Sequence, residues 1–437
     1  DTSDVEPPVP TVATADGPPP AGVLPPYSAS GEGLVDTYLA DASTGLPAGG
    51  DFTDRPVSSR LSLEGIFPPT IGVSVGGPFG GGIGGGVGLR FGDILGNQRL
   101  DVILQANGTF RDIGGGVGYL NRRSRFNYGA SANHIPIVFD QDLVRGPRGL
   151  NIITERLFVT QGSLNGAYPL SSTRRFEVSQ GAVRYGFGTN VNGPDEGLIE
   201  DEIDRIPSFE RDTEYFGRTS LAFVIDTADF GFTSPVRGGR YRLQVAPQYG
   251  TETFVNVLAD ARRYLYARPF TFAVQAVHIG NYGASRGDIF GEEYLGSSFS
   301  PTFVRGYSFR SFDEFADCTT ADCDADFDRL IGTRAAKVSG EIRLPVLGIR
   351  PLSLFDFPVL PTELTLFGDV GLAWAAGDDV DFDFVQEASS VRRTPVASTG
   401  IAVRVNLFGS IILEPYWAYA FQRAEPSFFG LRLQPGW

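Results

Sequence analysis

Arg305 stands in the string Val304-Arg305-Gly306-Tyr307, an apolar, cationic, glycine and aromatic run inside a long polar stretch. A guanidinium in that setting calls for carboxylates, and two later segments supply them. Glu341 alternates with Ile342 and Leu344, and Asp369 alternates with Leu366, Val370 and Leu372. Successive side chains of a strand point to opposite faces, so each carboxylate lies on the polar face of its strand. If that face lines a barrel, a loop folded into the lumen brings Arg305 against Glu341 and Asp369. The chemistry is then that of a buried ion pair rather than of a reaction. Gly306 allows the tight bend, and Tyr307 wedges the tip of the loop.

Other residues with chemical potential point less sharply. His134 and His278 are the only histidines, each ends an apolar stretch, and no nucleophile motif accompanies them. The chain is therefore not expected to be an enzyme, and no cofactor is expected. The run from Gly76 to Gly86 has glycine spacings of nucleotide loops but lacks the Lys-Ser/Thr and the following helix pattern of a P-loop. It reads instead as a hairpin weakened and bent by glycine. Asp322, Asp324, Asp326 and Asp328 alternate beside Cys318 and Cys323, and Asp378, Asp379, Asp381 and Asp383 form a similar group. The spacing is that of a calcium loop, but Phe327 takes the glycine position and no Glu closes it. A solvated acidic loop and a weak divalent-ion site are both open readings. Cys318 and Cys323 predict a local disulfide in an oxidising compartment, stabilising by roughly 2 kcal/mol.

The elements that position these residues follow from composition and period. The chain of 437 residues holds 56 Gly, 30 Pro and 34 Phe, and contains no apolar run of the roughly 18 residues a membrane helix needs. A membrane barrel needs none, because lipid-facing and lumen-facing residues alternate. The net charge of −15 disfavours a nucleic-acid partner. With no Met and no signal peptide, the sequence reads as a processed product. Residues 1–68 carry Pro7-Pro8, Pro18-Pro19-Pro20 and Pro25-Pro26 and little hydrophobic periodicity, so an extended arm or linker is expected. Residues 69–437 are expected to form a barrel. Sixteen strand-like stretches follow Thr70, at 70–76, 83–92, 98–110, 114–121, 125–135, 152–168, 174–187, 216–226, 238–249, 252–266, 269–280, 333–345, 361–374, 395–408, 410–421 and 427–437. Alternation is clearest late, where Ile401, Val403 and Val405 oppose Arg404 and Asn406, and Phe429, Leu431 and Leu433 oppose Arg432 and Gln434. Long segments at 136–151, 188–215, 281–332 and 375–394 all fall on one side, taken as extracellular.

With these motifs in place, the chain resembles the outer-membrane assembly-factor superfamily, also called the bacterial surface antigen family. That family's loop signature is Val-Arg-Gly-Phe/Tyr, matched by Val304 to Tyr307. Its strand signature is an aromatic, then Asp, then Gly, matched by Phe367, Asp369 and Gly371. A third feature, an Asp followed by Pro-x-x-Gly before the next strand, is matched by Asp226 and by Pro235 to Gly238. The resemblance covers about 70–437. It departs at the N-terminus, where the family's periplasmic βααββ modules are not recognisable; one subgroup carries a β-propeller upstream instead.

The resemblance implies a sixteen-stranded antiparallel barrel in the bacterial outer membrane, with lipids, lipopolysaccharide and periplasmic or surface proteins as partners. It implies insertion or translocation of polypeptides through a lateral gate between the first and last strands, with the Arg305 loop bracing the wall. A structural or anchoring subunit of a membrane complex, and a passive pore, are the competing readings.

Overall fold

The computed structural model describes residues 60–437, apart from 78–79, 107–112, 193, 195–212, 288–289, 298–299, 308–327, 351, 386–391, 408, 410, 424 and 436–437. The arm through residue 59, the expected Cys318–Cys323 disulfide, and Asp322, Asp324, Asp326 and Trp437 lie outside the described residues.

Sixteen long strands form an antiparallel meander. The first four are β1 (Ser62–Gly77), β2 (Gly80–Gly92), β3 (Gln98–Ala106) and β4 (Ile113–Asn121). There follow β5 (Asn127–Gly146), β6 (Gly149–Pro169), β7 (Arg174–Asn192) and β8 (Glu214–Asp226). Next come β9 (Pro235–Gly250), β10 (Phe254–Ala267), β11 (Phe270–Tyr282) and β12 (Arg334–Gly348). The last are β13 (Thr362–Trp374), β14 (Val396–Leu407), β15 (Ile411–Ala420) and β16 (Ser427–Pro435). Each pairs with the next, from Val73↔Ile83 in the first hairpin to Tyr416↔Gly430 in the last. Among the described residues no ladder joins β16 to β1, so the sheet is open between its first and last strands.

Burial is inverted relative to a water-soluble sheet. Along β13, Glu363, Thr365 and Asp369 are buried while Leu366 is half exposed. The same holds across the wall, where Leu221, Leu243, Val274, Val338 and Phe429 point outward. Polar residues inside and apolar residues outside, with period 2, require hydrocarbon as the outer solvent. Tyr282, Trp374 and His278 gather on the outer face at the ends of β11 and β13, with the His278 ring stacked 5.6 Å from Trp374. Such aromatic groups suit the membrane interface. The wall is that of an outer-membrane β-barrel, and His278 belongs to its rim.

Two segments differ from the sequence reading. β1 begins at Ser62, ahead of the expected 70, because a register shift between Phe67 and Thr70 absorbs Pro68 and Pro69. The expected loop at 136–151 is instead the upper part of the β5–β6 hairpin, which closes at Gly146↔Gly149. Its Ile137, Val138, Ile152 and Ile153 have the β-branched character that favours strand, and a bulge at Val138–Asp140 resets the register. Within 346–360, Phe355-Asp356 runs parallel to Leu347-Gly348 and folds the connection back against its own strand.

Candidate functional site

The β11–β12 connection enters the lumen, and Leu295 and Phe303 to Tyr307 within it pack on the inner face of β12–β15. Leu295, Phe303, Val304 and Tyr307 are all at most 2% exposed. Leu295, Val304 and Tyr307 share a cluster with Leu330, Ala335, Ala373, Val396 and Ala420. Gly306 turns the chain with φ of +93°, a conformation L side chains rarely adopt. Gly371 serves close approach: a Cβ there would stand 2.4 Å from Val304 Cγ2. The aromatic-Asp-Gly spacing on β13 thus has a steric meaning, since the glycine seats the valine of the loop.

Arg305 is the centre of the contact. Its Nε donates to Asp369 Oδ2 at 2.7 Å and its Nη2 to Asp369 Oδ1 at 2.9 Å, a bidentate fork, and its backbone N–H reaches Oδ2 at 3.3 Å. Nη1 lies 2.9 Å from Glu341 Oε1 and 3.7 Å from Glu414 Oε1. The guanidinium also lies over the Phe367 ring, 3.6 Å from its centroid. Ser339 Oγ donates to Asp369 Oδ1 at 2.5 Å, and Lys337 Nζ stands 3.9 Å from the same oxygen. Val304, Arg305, Gly306, Tyr307, Glu341, Asp369 and Gly371 are therefore brought together in one place.

The cluster extends beyond the residues that the sequence marks. Arg404 on β14 donates to Glu414 on β15, lies 3.3 Å from Glu363 on β13, and reaches Glu341 on β12 at 2.9 and 3.1 Å. Arg343 pairs with Glu341 at 2.7 Å, and Arg432 on β16 lies 3.3 Å from Glu414. From the other mouth, the turn before β9 supplies Thr233 and Ser234, whose hydroxyls donate to Glu363 at 3.1 and 2.8 Å. The Pro-x-x-Gly feature thus caps the same cluster from below. Inward parity of Glu363, Arg404, Glu414 and Arg432 was the available signal for these residues. Arg404 is met by acids from β12, β13 and β15, and Glu414 by arginines from β14 and β16, so the charges tie five neighbouring strands together. Among the described residues no group of His, Cys, Asp and Glu is arranged to hold a metal ion.

The acidic outer segments are met by arginine. Asp328 lies 2.9 Å from Arg393 and 3.4 Å from Arg286. Asp378 lies 3.1 Å from Arg393 and 2.7 Å from Arg286.

One loop carboxyl is set apart. Asn281 Nδ2 donates to Glu293 Oε1 at 3.2 Å and to Gly291 O at 3.1 Å, while Asn256 Nδ2 donates to Asn281 Oδ1 at 2.7 Å. Burial pushes the Glu293 carboxyl up to about 7, against the Asn281 hydrogen bond and the Arg218 charge, which pull it down. A carboxyl raised on folding contributes stability in full below its ordinary value of 4.5, and that contribution is lost as pH rises through about 7. Amide exchange at 291–295, corrected for intrinsic rate, should therefore show weaker protection at pH 8 than at pH 5. Glu293→Gln, which keeps the acceptor and removes the charge, should abolish the difference.

No family model matches the chain, and no curated protein matches its sequence. Solved structures do match in fold. BamA from Haemophilus ducreyi lacking POTRA domains 1–3 aligns at 13% identity over 83% of this chain and 68% of that one, with a TM-score of 0.52. CdiB from Escherichia coli aligns at 10% identity over 85% of this chain and 60% of that one, with a TM-score of 0.50. The chain thus spans less than two thirds of the CdiB chain. With its long strands antiparallel, polar residues inside and apolar residues outside, this chain has the fold of the BamA and CdiB barrels.

Proposed function

We propose that this chain is the barrel of an outer-membrane machine that inserts or translocates polypeptides, working at the seam between β1 and β16. The observation that carries the reading is an asymmetry in the wall. On one side, β12–β15 are braced from within by the Arg305 loop and the charged lattice. On the other, β16 and β1 face the seam without a ladder between them among the described residues. Unpaired backbone N–H and C=O groups are costly in hydrocarbon, so an open edge favours capture of an incoming strand by pairing. The motif resemblance and the likeness to the BamA and CdiB barrels support the same reading. In this role the Arg305 loop is a lock that holds the rigid half of the wall while the seam moves.

The test is to tie the seam. Cysteine pairs introduced between β1 and β16 should, once oxidised, abolish insertion of a barrel substrate into liposomes while leaving the fold intact. A control pair at Ala261 and Ala276, which face each other between β10 and β11, should have little effect. Full activity with the seam tied would rule out a gate there and favour an anchoring role.

A further inference from the structure

The hairpin β15–β16 ends in a short turn whose polar side chains are tucked inward. Gln422 and Arg423 follow Ala420 at the outer rim, where solvent is available, yet both are buried. Their partners are the tip of the lumen loop. Gln422 Oε1 lies 2.9 Å from the Tyr307 hydroxyl and accepts the Ala397 N–H of β14 at 2.7 Å. The Gln422 N–H donates to the Tyr307 hydroxyl oxygen at 3.1 Å. That hydroxyl also lies 3.0 Å from Ala397 O, so its single proton has two acceptors in reach. Arg423 Nη1 donates to Gly306 O at 3.2 Å, and its guanidinium lies 5.3 Å from the Phe428 ring centroid of β16.

Packing follows the same path. A Cβ at Gly306 would stand 3.2 Å from the Ala420 methyl and 3.3 Å from the Ala418 methyl. The loop tip therefore rests directly on β15, at a place where β15 presents only small residues. Lower down, the Arg432 guanidinium of β16 lies 5.1 Å from the Phe303 ring centroid of the loop. Contacts of the loop with the last hairpin are thus separate from its contact with Asp369 on β13.

We infer that Gln422 and Arg423 form a latch through which the lumen loop holds the last hairpin, so that the freedom of β16 is set from inside the barrel. This rests on the reading that the β16 edge is where polypeptides act, and it adds how that edge is restrained. Among the described residues β16 has a ladder partner on one side only, so contacts at its turn weigh heavily in its local stability. Withdrawing Tyr307 takes one of two donors from the buried Gln422 Oε1 and removes the acceptor of the Gln422 N–H, and an unmet buried polar group is costly. Loop tip and hairpin therefore dock and release together. Gln422 and Arg423 are positioning residues: they restrain the edge and touch no substrate.

The experiment is site-resolved amide exchange of the full chain in lipid, for Tyr307→Phe, Gln422→Leu and Gln422→Glu. Exchange in β15–β16 should rise about tenfold in Tyr307→Phe and in Gln422→Leu, with β10–β11 unchanged. Gln422→Glu keeps an acceptor for both the hydroxyl and the Ala397 N–H, and it should restore protection. The double variant Tyr307→Phe/Gln422→Leu should lose less than the sum of the two single ones, because the Tyr307 hydroxyl–Gln422 Oε1 bond is removed by both. Gln422 lies in a surface turn, so its variants keep the test available if Tyr307→Phe does not fold. Unchanged β16 exchange in Gln422→Leu, or equal exchange in Gln422→Leu and Gln422→Glu, would overturn the latch. Liposome insertion by the same variants separates the two ideas. Faster β16 exchange with unaltered insertion upholds the latch and removes the seam reading.

Discussion

Replacing Arg305 by methionine is expected to cost about 3–5 kcal/mol of barrel stability, because the carboxylates around it stay buried after their cation is gone. Arg305 is 1% exposed and Asp369 is fully buried, so water cannot take over the role without opening the lumen. Asp369 keeps the backbone N–H of residue 305 at 3.3 Å, the Ser339 hydroxyl and the more distant Lys337, at 3.9 Å. The check is unfolding by urea in lipid or detergent, read by the loss of heat-resistant migration. Removing the acid as well, in Arg305→Met/Asp369→Asn, should recover part of the loss, since the stranded charge is the main penalty. Additive losses in the double variant would mean that the two residues act independently, against the observed bidentate pair.

Arg404→Met is expected to be comparably damaging, with a loss again of about 3–5 kcal/mol. Its guanidinium meets carboxylates from β12, β13 and β15, so one substitution weakens the pairing of three acids at once and leaves Glu363 to the Thr233 and Ser234 hydroxyls. The two variants should differ in where the damage appears. Arg305→Met frees the loop, so exchange should rise at 293–307 first. Arg404→Met loosens the wall itself, so exchange should rise across β12–β15 with the loop following. Identical exchange patterns would show that loop and wall are a single cooperative unit.

The ion pair was legible in the sequence because strand period is insensitive to distance along the chain. Glu341 and Asp369 each alternate with aliphatic residues of their strands, and that alone placed them on the inner face. The Arg404 and Arg432 parity was legible for the same reason. Their partners were not, because pairing Arg404 with Glu341, Glu363 and Glu414 requires the register of four strands, which period does not supply. Gln422 and Arg423 were not legible at all: they lie in a turn, where polar residues are the ordinary expectation and nothing signals that they point inward. The start of β1 was hidden by Pro68 and Pro69, which read as a strand break and are in fact taken up by an irregularity in the ladder. The 136–151 segment misled in the opposite way, since a hairpin with strand-forming residues can continue beyond the membrane with no change of pattern.

The central claim is that the wall is braced at β12–β15 and open at β16 and β1, and strand-by-strand amide exchange of the unmodified chain in lipid bilayers tests it most directly. Protection should be greatest in β12–β14, where the Arg305 loop and the charged lattice meet, and least in β1 and β16. Protection of β1 and β16 equal to that of β12–β14 would contradict the account.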